Sequence, residues 1–369
     1  MNTNFQYIIS VIIPQQLLYH ITLLFATIII LVSGIIVIYL FRKNRFDNRR
    51  KEIQKNIADF ISEIAICESM EELEETYTQP GFENTLNKYK QTAFDKKVMT
   101  KELAETCKKL SGNSEENVQW LFEKTGLGKD LIKQLTNKRW YLKAEAIQQL
   151  ASLNQHKQLR KIYYYTNHAN LLVRMDAQVA IIKLTGFKGL RFLKVISYPI
   201  TTWQQLQLLN ELSRQKPDSF ENLSQWIKSS NETVVEFALK LVGIYQQYEQ
   251  YEHVVECLSH TSMLIQDQAV STLSKIHLED TASLYVSHYH SLEKSVQFMI
   301  IQFLKEIGTD AEIPFLKSIL NHPDNSFKLE AARAIKFIGN SEFVITDYAI
   351  DENRYPWYVI LNQLNSEPA

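Results

Sequence analysis

Apolar and small residues return through this 369-residue chain with a period close to 31, and a period of that length restricts the fold more than any other feature. One position in each apparent second helix serves as an anchor: Leu142, Val173, Thr202, Val234, Ile265, Val296 and Phe327. The steps between them are 31, 29, 32, 31, 31 and 31 residues. Four residues after the anchors stand Ala146, Ala177, Leu206, Ala238, Ala269, Ile300 and Ala331; eleven before them stand Leu131, Ile162, Arg191, Leu223, Val254, Tyr285 and Leu316. Anchor, +4, +8 and +11 form one stripe on an α-helix. Alanine at +4 lets a neighbouring helix approach closely, and larger residues at +8 (Leu150, Ile181, Val242, Leu273, Leu304, Ile335) fill the layer between units. One helical hairpin cannot bury both faces alone, so the units must stack. The expectation is an all-α fold, an α–α superhelix of about seven units over residues 129–340. The unit at Thr202 departs, with Arg191, Asn210 and Ser213 where others are apolar. It reads either as a degenerate structural repeat or as a polar contact surface.

The last unit, Ile319 to Asp324 followed by FKLEAARAIKFIG (Phe327 to Gly339), resembles a HEAT repeat of the short, roughly thirty-residue type also found in phycobilin (PBS) lyases. VRMDAQVAIIKLTG (Val173 to Gly186) is similar to it as well. The resemblance implies a HEAT-like solenoid, and arrays of this family act mostly as protein-binding scaffolds. Nucleic-acid and small-molecule binders are the exceptions.

A different signal precedes the array. Residues 17–41 carry no charge, and as a helix they reach roughly 37 Å against roughly 30 Å of hydrocarbon. Residues 1–16 contain no Lys or Arg, and the apolar run ends in Tyr39-Leu40-Phe41, a poor cleavage site, so an uncleaved anchor is expected rather than a signal peptide. Arg42, Lys43, Arg45, Arg49, Arg50 and Lys51 crowd one flank. Positive-inside logic then puts residues 1–16 outside and the repeats in the cytoplasm of a single-pass inner-membrane protein. Phe5 to Ile13 is too short to span and is expected at the outer interface.

Between anchor and array, residues 42–128 read as a basic juxtamembrane segment and a helical subdomain. Ile53, Ile57, Phe60, Ile61 and Ile64 mark an amphipathic helix, and Glu68 to Glu75 an acidic solvated face or loop. A turn is expected at Gln79-Pro80-Gly81, then helices over Leu86 to Leu110 and Ser114 to Lys124, with Ser114 as N-cap. Residues 341–369 form a C-terminal cap or tail.

No nucleotide-binding, hydrolase or metalloprotease motif occurs, so neither catalysis nor a cofactor is expected. Cys67, Cys107 and Cys257 are too dispersed for a disulfide framework and read as buried thiols. His288 and His290 point to different faces; His253, His260, His277 and His322 read as solvated or capping, and no metal is expected. Forty Lys and Arg balance 41 Asp and Glu. No Lys/Arg stripe follows the period either, which argues against nucleic acid. Candidate partner-binding residues are Arg160 with Tyr163, Tyr164 and Tyr165, which cannot all face a core, and Tyr355 and Trp357 beyond the last repeat. The tyrosines read equally as packing at the inter-helix turn, and the C-terminal aromatics as a cap. The functional expectation is a scaffold facing the cytoplasm and binding a membrane-associated protein, such as an envelope glycosyltransferase or a signalling component. The alternative is a ligand-binding or enzymatic HEAT protein acting on a tetrapyrrole or nucleic acid.

Overall fold

The computed structural model describes residues 15–215, 220, 222–339 and 355–366, and among these every regular element is a helix. The expected outer segment Phe5 to Ile13 lies outside the described residues. The chain divides into two compact units, one running to Lys138 and including Ser152–Gln155, the other comprising Arg139–Ala151 and the residues from His156 onward.

The first unit is organised by α1 (Gln15–Ala65), 51 residues without a break. Residues 16–48 are exposed, whereas Ile53, Ile57, Ile61 and Ile64 are buried. The separate amphipathic helix expected after the basic flank is thus the second half of the apolar one. Residues 42–52 hold neither Gly nor Pro, and six of the eleven are Arg or Lys, good helix formers, so nothing ends the helix there. Glu71, Glu72, Glu74 and Glu75 form the exposed face of α2 (Met70–Thr78) rather than a loop, with Leu73 turned inward. Ser69 caps that helix by accepting from the Glu72 amide at 3.2 Å. Pro80 opens α3 (Pro80–Tyr89) from its first turn instead of marking a free turn, since the missing proline N–H would be unpaired there anyway.

The single helix expected from Leu86 to Leu110 is broken at residues 90–92. Thr92 accepts from the Asp95 amide at 3.0 Å and starts α4 (Ala93–Cys107) afresh. Gly112, at φ 63°, precedes α5 (Asn113–Thr125), so the cap is not Ser114. Only glycine enters that conformation without a Cβ penalty. α6 (Gly128–Leu135) completes the unit. Buried Asn117 donates its amide to the carbonyls of Ile64 (3.1 Å) and Cys67 (2.8 Å), satisfying acceptors that the end of α1 leaves open.

The second unit is a series of helix pairs. Its longer second helices are α7 (Trp140–Ser152), α9 (Leu171–Thr185), α10 (Thr202–Leu212), α12 (Glu232–Ile244), α14 (Met263–Leu273), α16 (Lys294–Ile307) and α18 (Asn325–Ile338). Shorter first elements precede them: α8 (Leu159–Tyr164), a 3-10 segment Gly186–Lys194, α11 (Leu223–Ile227), α13 (Tyr251–Glu256), α15 (Thr281–His288) and α17 (Ile313–Ile319). The repeat is therefore visible as geometry, and the third residue of every second helix is its anchor.

That rule corrects one register. In α10 the third residue is Gln204, which is 1% exposed, while Thr202 and Leu206 face solvent. The steps become 31, 31, 30, 31, 31 and 31, and the equivalents of the Thr202 frame move to Leu193, Leu208 and Leu212, all buried. Most of the apparent degeneracy is thus a matter of frame set by a polar anchor, although Gln215, half-buried, still stands at +11 where the other units have an apolar residue. Gln204 is tolerated because both ends of its carboxamide are paired: Oε1 accepts from the Thr201 backbone N–H at 2.9 Å and Nε2 donates to Gln178 Oε1 at 3.4 Å, while the Gln204 backbone N–H donates to Thr201 Oγ1 at 3.3 Å.

A second pattern recurs in four of the seven units, one residue after the anchor. Arg174 donates to the carbonyl of His168 (2.7 Å), Gln205 to Ile200 (3.3 Å), Gln266 to His260 (2.8 Å) and Gln297 to Leu292 (3.0 Å). Each long side chain reaches back to pair a carbonyl of the turn before its helix, which would otherwise be lost to solvent exclusion.

At the far end α19 (Trp357–Ser366) packs on α18, with Ile360 and Leu364 buried and Lys336 Nζ donating to the Leu364 carbonyl. Tyr355 accepts from Asn325 at 3.2 Å, and Trp357 is half-buried. These C-terminal aromatics stand against the last repeat. Arg354 lies outside the described residues.

Candidate functional site: an apolar edge at the inter-helix turns

The turns of successive pairs are tied directly to one another. The Ser197 amide donates to Asn167 Oδ1 at 2.9 Å, Asn231 Nδ2 to the Tyr198 carbonyl at 3.1 Å, and the Ile200 amide to Thr233 Oγ1 at 2.8 Å. Ser295 meets the Met263 sulfur at 3.5 Å. The turns thus run side by side as one edge of the array.

The two residues before the anchors open the second helices on this edge. In four units they are large and apolar: Trp140 and Tyr141, Leu171 and Leu172, Trp203 beside Thr202, and Met263 with Leu264. All of these apolar side chains are exposed, Trp203 at 63%. Helix-opening positions usually hold capping or acidic residues, as Glu232 does in α12. Large apolar groups there keep 42–64% of their surface open to solvent. Exposed large apolar positions recurring along one edge mark an interaction surface, here interrupted by Glu232 and Thr233 of the α12 unit.

The tyrosine run joins this edge in part. Tyr164 is 77% exposed at the end of α8, Tyr163 is half-buried and Tyr165 is buried. The cations on these rings come from neighbouring units: Lys143 lies 5.3 Å over Tyr165, Arg191 5.4 Å over Tyr163, and Arg174 4.3 Å over Tyr198. Arg160 is exposed on α8. The sequence singles out consecutive tyrosines because they are consecutive, and misses the apolar pairs because each looks like an ordinary helix start. Aligning the units on their anchors is the signal that finds them.

Histidines recur five residues before the anchor, and their role is structural. Nδ1 of His168, His260 and His322 accepts from the backbone N–H two residues on, at 3.0, 3.0 and 3.1 Å, and Ser229 does the same at 3.2 Å. A ring accepting at Nδ1 must be unprotonated there. Burial, together with the charges of Lys143 and Arg174, holds the His168 ring below its ordinary value of 6.5. The folded state therefore binds the proton less readily than the unfolded chain. The resulting stability is complete above about 6.5 and is lost as pH falls through the folded value. The denaturation midpoint is expected to drop between pH 7.5 and 5.5, and His168→Asn, which keeps an acceptor that does not titrate, is expected to shrink that drop. Urea titrations at the two pH values measure it, and equal drops in both proteins would remove His168 as the source.

Among the described residues no three His, Cys, Asp or Glu side chains gather as a metal site. Cys67, Cys107 and Cys257 are buried thiols outside any disulfide, and burial pushes Cys257 up to about 11, far from nucleophilic use.

No family model and no curated protein matches the chain in sequence. Among solved structures, an engineered protein is similar over 68% of this chain and 76% of its own, at 16% identity and TM-score 0.34. A second engineered protein matches over 68% and 94%, at 14% identity and TM-score 0.24. The complex of CpcE and CpcF of phycocyanin lyase from Nostoc sp. PCC7120 matches over 77% and 93%, at 14% identity and TM-score 0.24. Likenesses at these scores carry no weight on activity, and the helical-repeat architecture rests on the chain's own geometry.

Proposed function

We propose that this chain is a membrane-tethered adaptor, in which α1 crosses the bilayer with its N-terminus outside and the second unit docks a partner protein. The observation that carries the docking is the apolar edge, repeated at equivalent positions of four units and built on rigid helix starts. The short HEAT-like repeats that the sequence resembles belong mostly to scaffolds. The tether would hold the edge near a membrane-associated partner and raise its effective concentration there.

A photo-cross-linking residue placed at 172 or 203 is expected to capture the same protein in native membranes, and one at Ser283, at the opposite end of a first helix, to capture none of it. Trp203→Ala with Leu172→Ala is expected to weaken that association at least tenfold, because a buried aromatic anchor such as Trp203 contributes about 2 kcal/mol or more at an interface centre. Capture at position 283 as efficient as at 203, or unchanged association in the double variant, would sink the docking edge.

A further inference from the structure

The basic flank of α1 is not the only cationic element beside the apolar stretch. Within the first unit the turn between α3 and α4 is held against α1 just past that stretch. Phe46 and Phe94 pack with ring centroids 5.3 Å apart, Arg49 meets Asp95 at 3.1 Å, and Arg49 and Lys88 lie over the Tyr89 ring at 5.5 and 5.4 Å. Asn56 donates to the Tyr89 hydroxyl at 2.6 Å, fixing the end of α3 to the same helix.

Heights follow from the helix rise. Phe46 stands roughly 7 Å and Arg49 roughly 12 Å beyond Phe41, the last uncharged residue. A headgroup layer adds roughly 5–8 Å on each side of the hydrocarbon. The Phe46–Phe94 contact is therefore within the headgroup layer if α1 spans, and Arg49 with the Tyr89 ring lies just beyond it. Arg42, Phe46, Arg49 and Ile53 follow helical spacing along one side of α1, so Arg42 sits one turn nearer the bilayer on the side that receives the turn.

The cations at this level are not equivalent. Arg49 is held by Asp95, which is buried, and by Glu52 at 3.2 Å, so it locks the turn to α1. Lys88 is exposed, and Lys90 is half-buried with Glu83 near it and burial holding its ammonium below the ordinary value. Lys96 reaches Asp130 at 3.6 Å. Exposed positive charge near this level thus belongs to Arg42, Lys43, Arg45, Arg50 and Lys51 on α1 and to Lys88 beside the turn, with half-buried Lys90 next to it.

We infer that these two sequence-distant groups form one collar that binds anionic phospholipid headgroups and seats the first unit on the membrane. The collar rests on the spanning reading above. Charge complementarity selects the occupant: clustered Lys and Arg next to a span attract acidic lipid, and the Phe46–Phe94 pair supplies an apolar contact at the same level. Because α1 runs unbroken from span to core, this seat is rigid rather than tethered by a loop.

The test reconstitutes the full chain in phosphatidylcholine bilayers containing trace spin-labelled phosphatidylglycerol or phosphatidylcholine, and measures the motionally restricted fraction of each. Several-fold preference for phosphatidylglycerol is expected, falling at least twofold in Lys88→Gln/Lys90→Gln and with added salt. Lys157→Gln/Lys161→Gln, exposed lysines of the second unit, should leave it unchanged. A Lys88/Lys90 variant with wild-type thermal midpoint and wild-type preference overturns the collar while leaving the span intact. A full chain that does not enter the bilayer, floating free of vesicles at alkaline pH, overturns both.

Discussion

Removing residues 1–41 is expected to turn a protein that resists alkaline carbonate extraction into one that is soluble and still helical. Seventeen of the 25 residues from Leu17 to Phe41 are Leu, Ile, Val or Phe. At about −0.3 to −0.6 kcal/mol each for mid-membrane positions, their insertion gains roughly 5–10 kcal/mol, with no charged residue opposing it. The polar side chains inside the stretch add little cost. Thr22 and Thr27 donate back to the carbonyls of Tyr19 (2.8 Å) and Leu24 (2.7 Å), so their hydroxyls need no water. Every described residue of the stretch is exposed, so no folded core loses a contact when it goes. Fractionation after carbonate treatment and circular dichroism of the supernatant read the outcome. Wild-type protein in the supernatant would refute the span. A truncated chain left in the pellet and unfolded would show that residues 1–41 stabilise the first unit.

Ile57→Ala is expected to cost about 2–5 kcal/mol, the usual range for emptying a buried branched site. Ile57 is 2% exposed in the second half of α1 and belongs to the buried Ile53–Ile57–Ile61–Ile64 ridge around which α2, α4 and α5 are assembled. With domain stabilities of about 5–15 kcal/mol, that loss is a large part of the total. Ile66→Ala, a few residues on but 75% exposed, is expected to change stability by less than about 0.5 kcal/mol. Paired thermal and urea melts of the two variants decide it. Equal midpoints would mean that the ridge does not form the core of the unit.

The helical class and the period were legible because they rest on local spacing. An anchor and its stripe, such as Val234, Ala238 and Val242, fall where a 3.6-residue helix needs them, and that pattern survives without knowledge of neighbours. The frame failed at Gln204 for a specific reason. An apolarity rule cannot see that Thr201 and Gln178 will satisfy a buried carboxamide, because both bonds exist only after the helix has started at Thr202. Helix starts elsewhere were misread in the same way. Ser114 looked like a better cap than Gly112, and Pro80 like a turn rather than a first helical residue. Such choices depend on backbone angles that composition leaves open.

The candidate site divides along the same line. Exposure of one tyrosine in the Tyr163–Tyr165 run was legible, since consecutive helical residues diverge. Trp140, Leu172, Trp203 and Leu264 were not, because each is unremarkable in its own helix and acquires meaning only when the turns lie side by side.

By itself, then, the sequence determined an uncharged stretch of membrane-spanning length, a basic flank, and stacked helical units of about 31 residues, all consequences of hydrophobic spacing along the chain. Tertiary structure decided that the stretch continues without a joint into the core of the first unit, that Arg49 serves Asp95, and that scattered apolar helix starts share an edge. Those are statements about residues far apart in sequence, and only packing brings them within reach of one another.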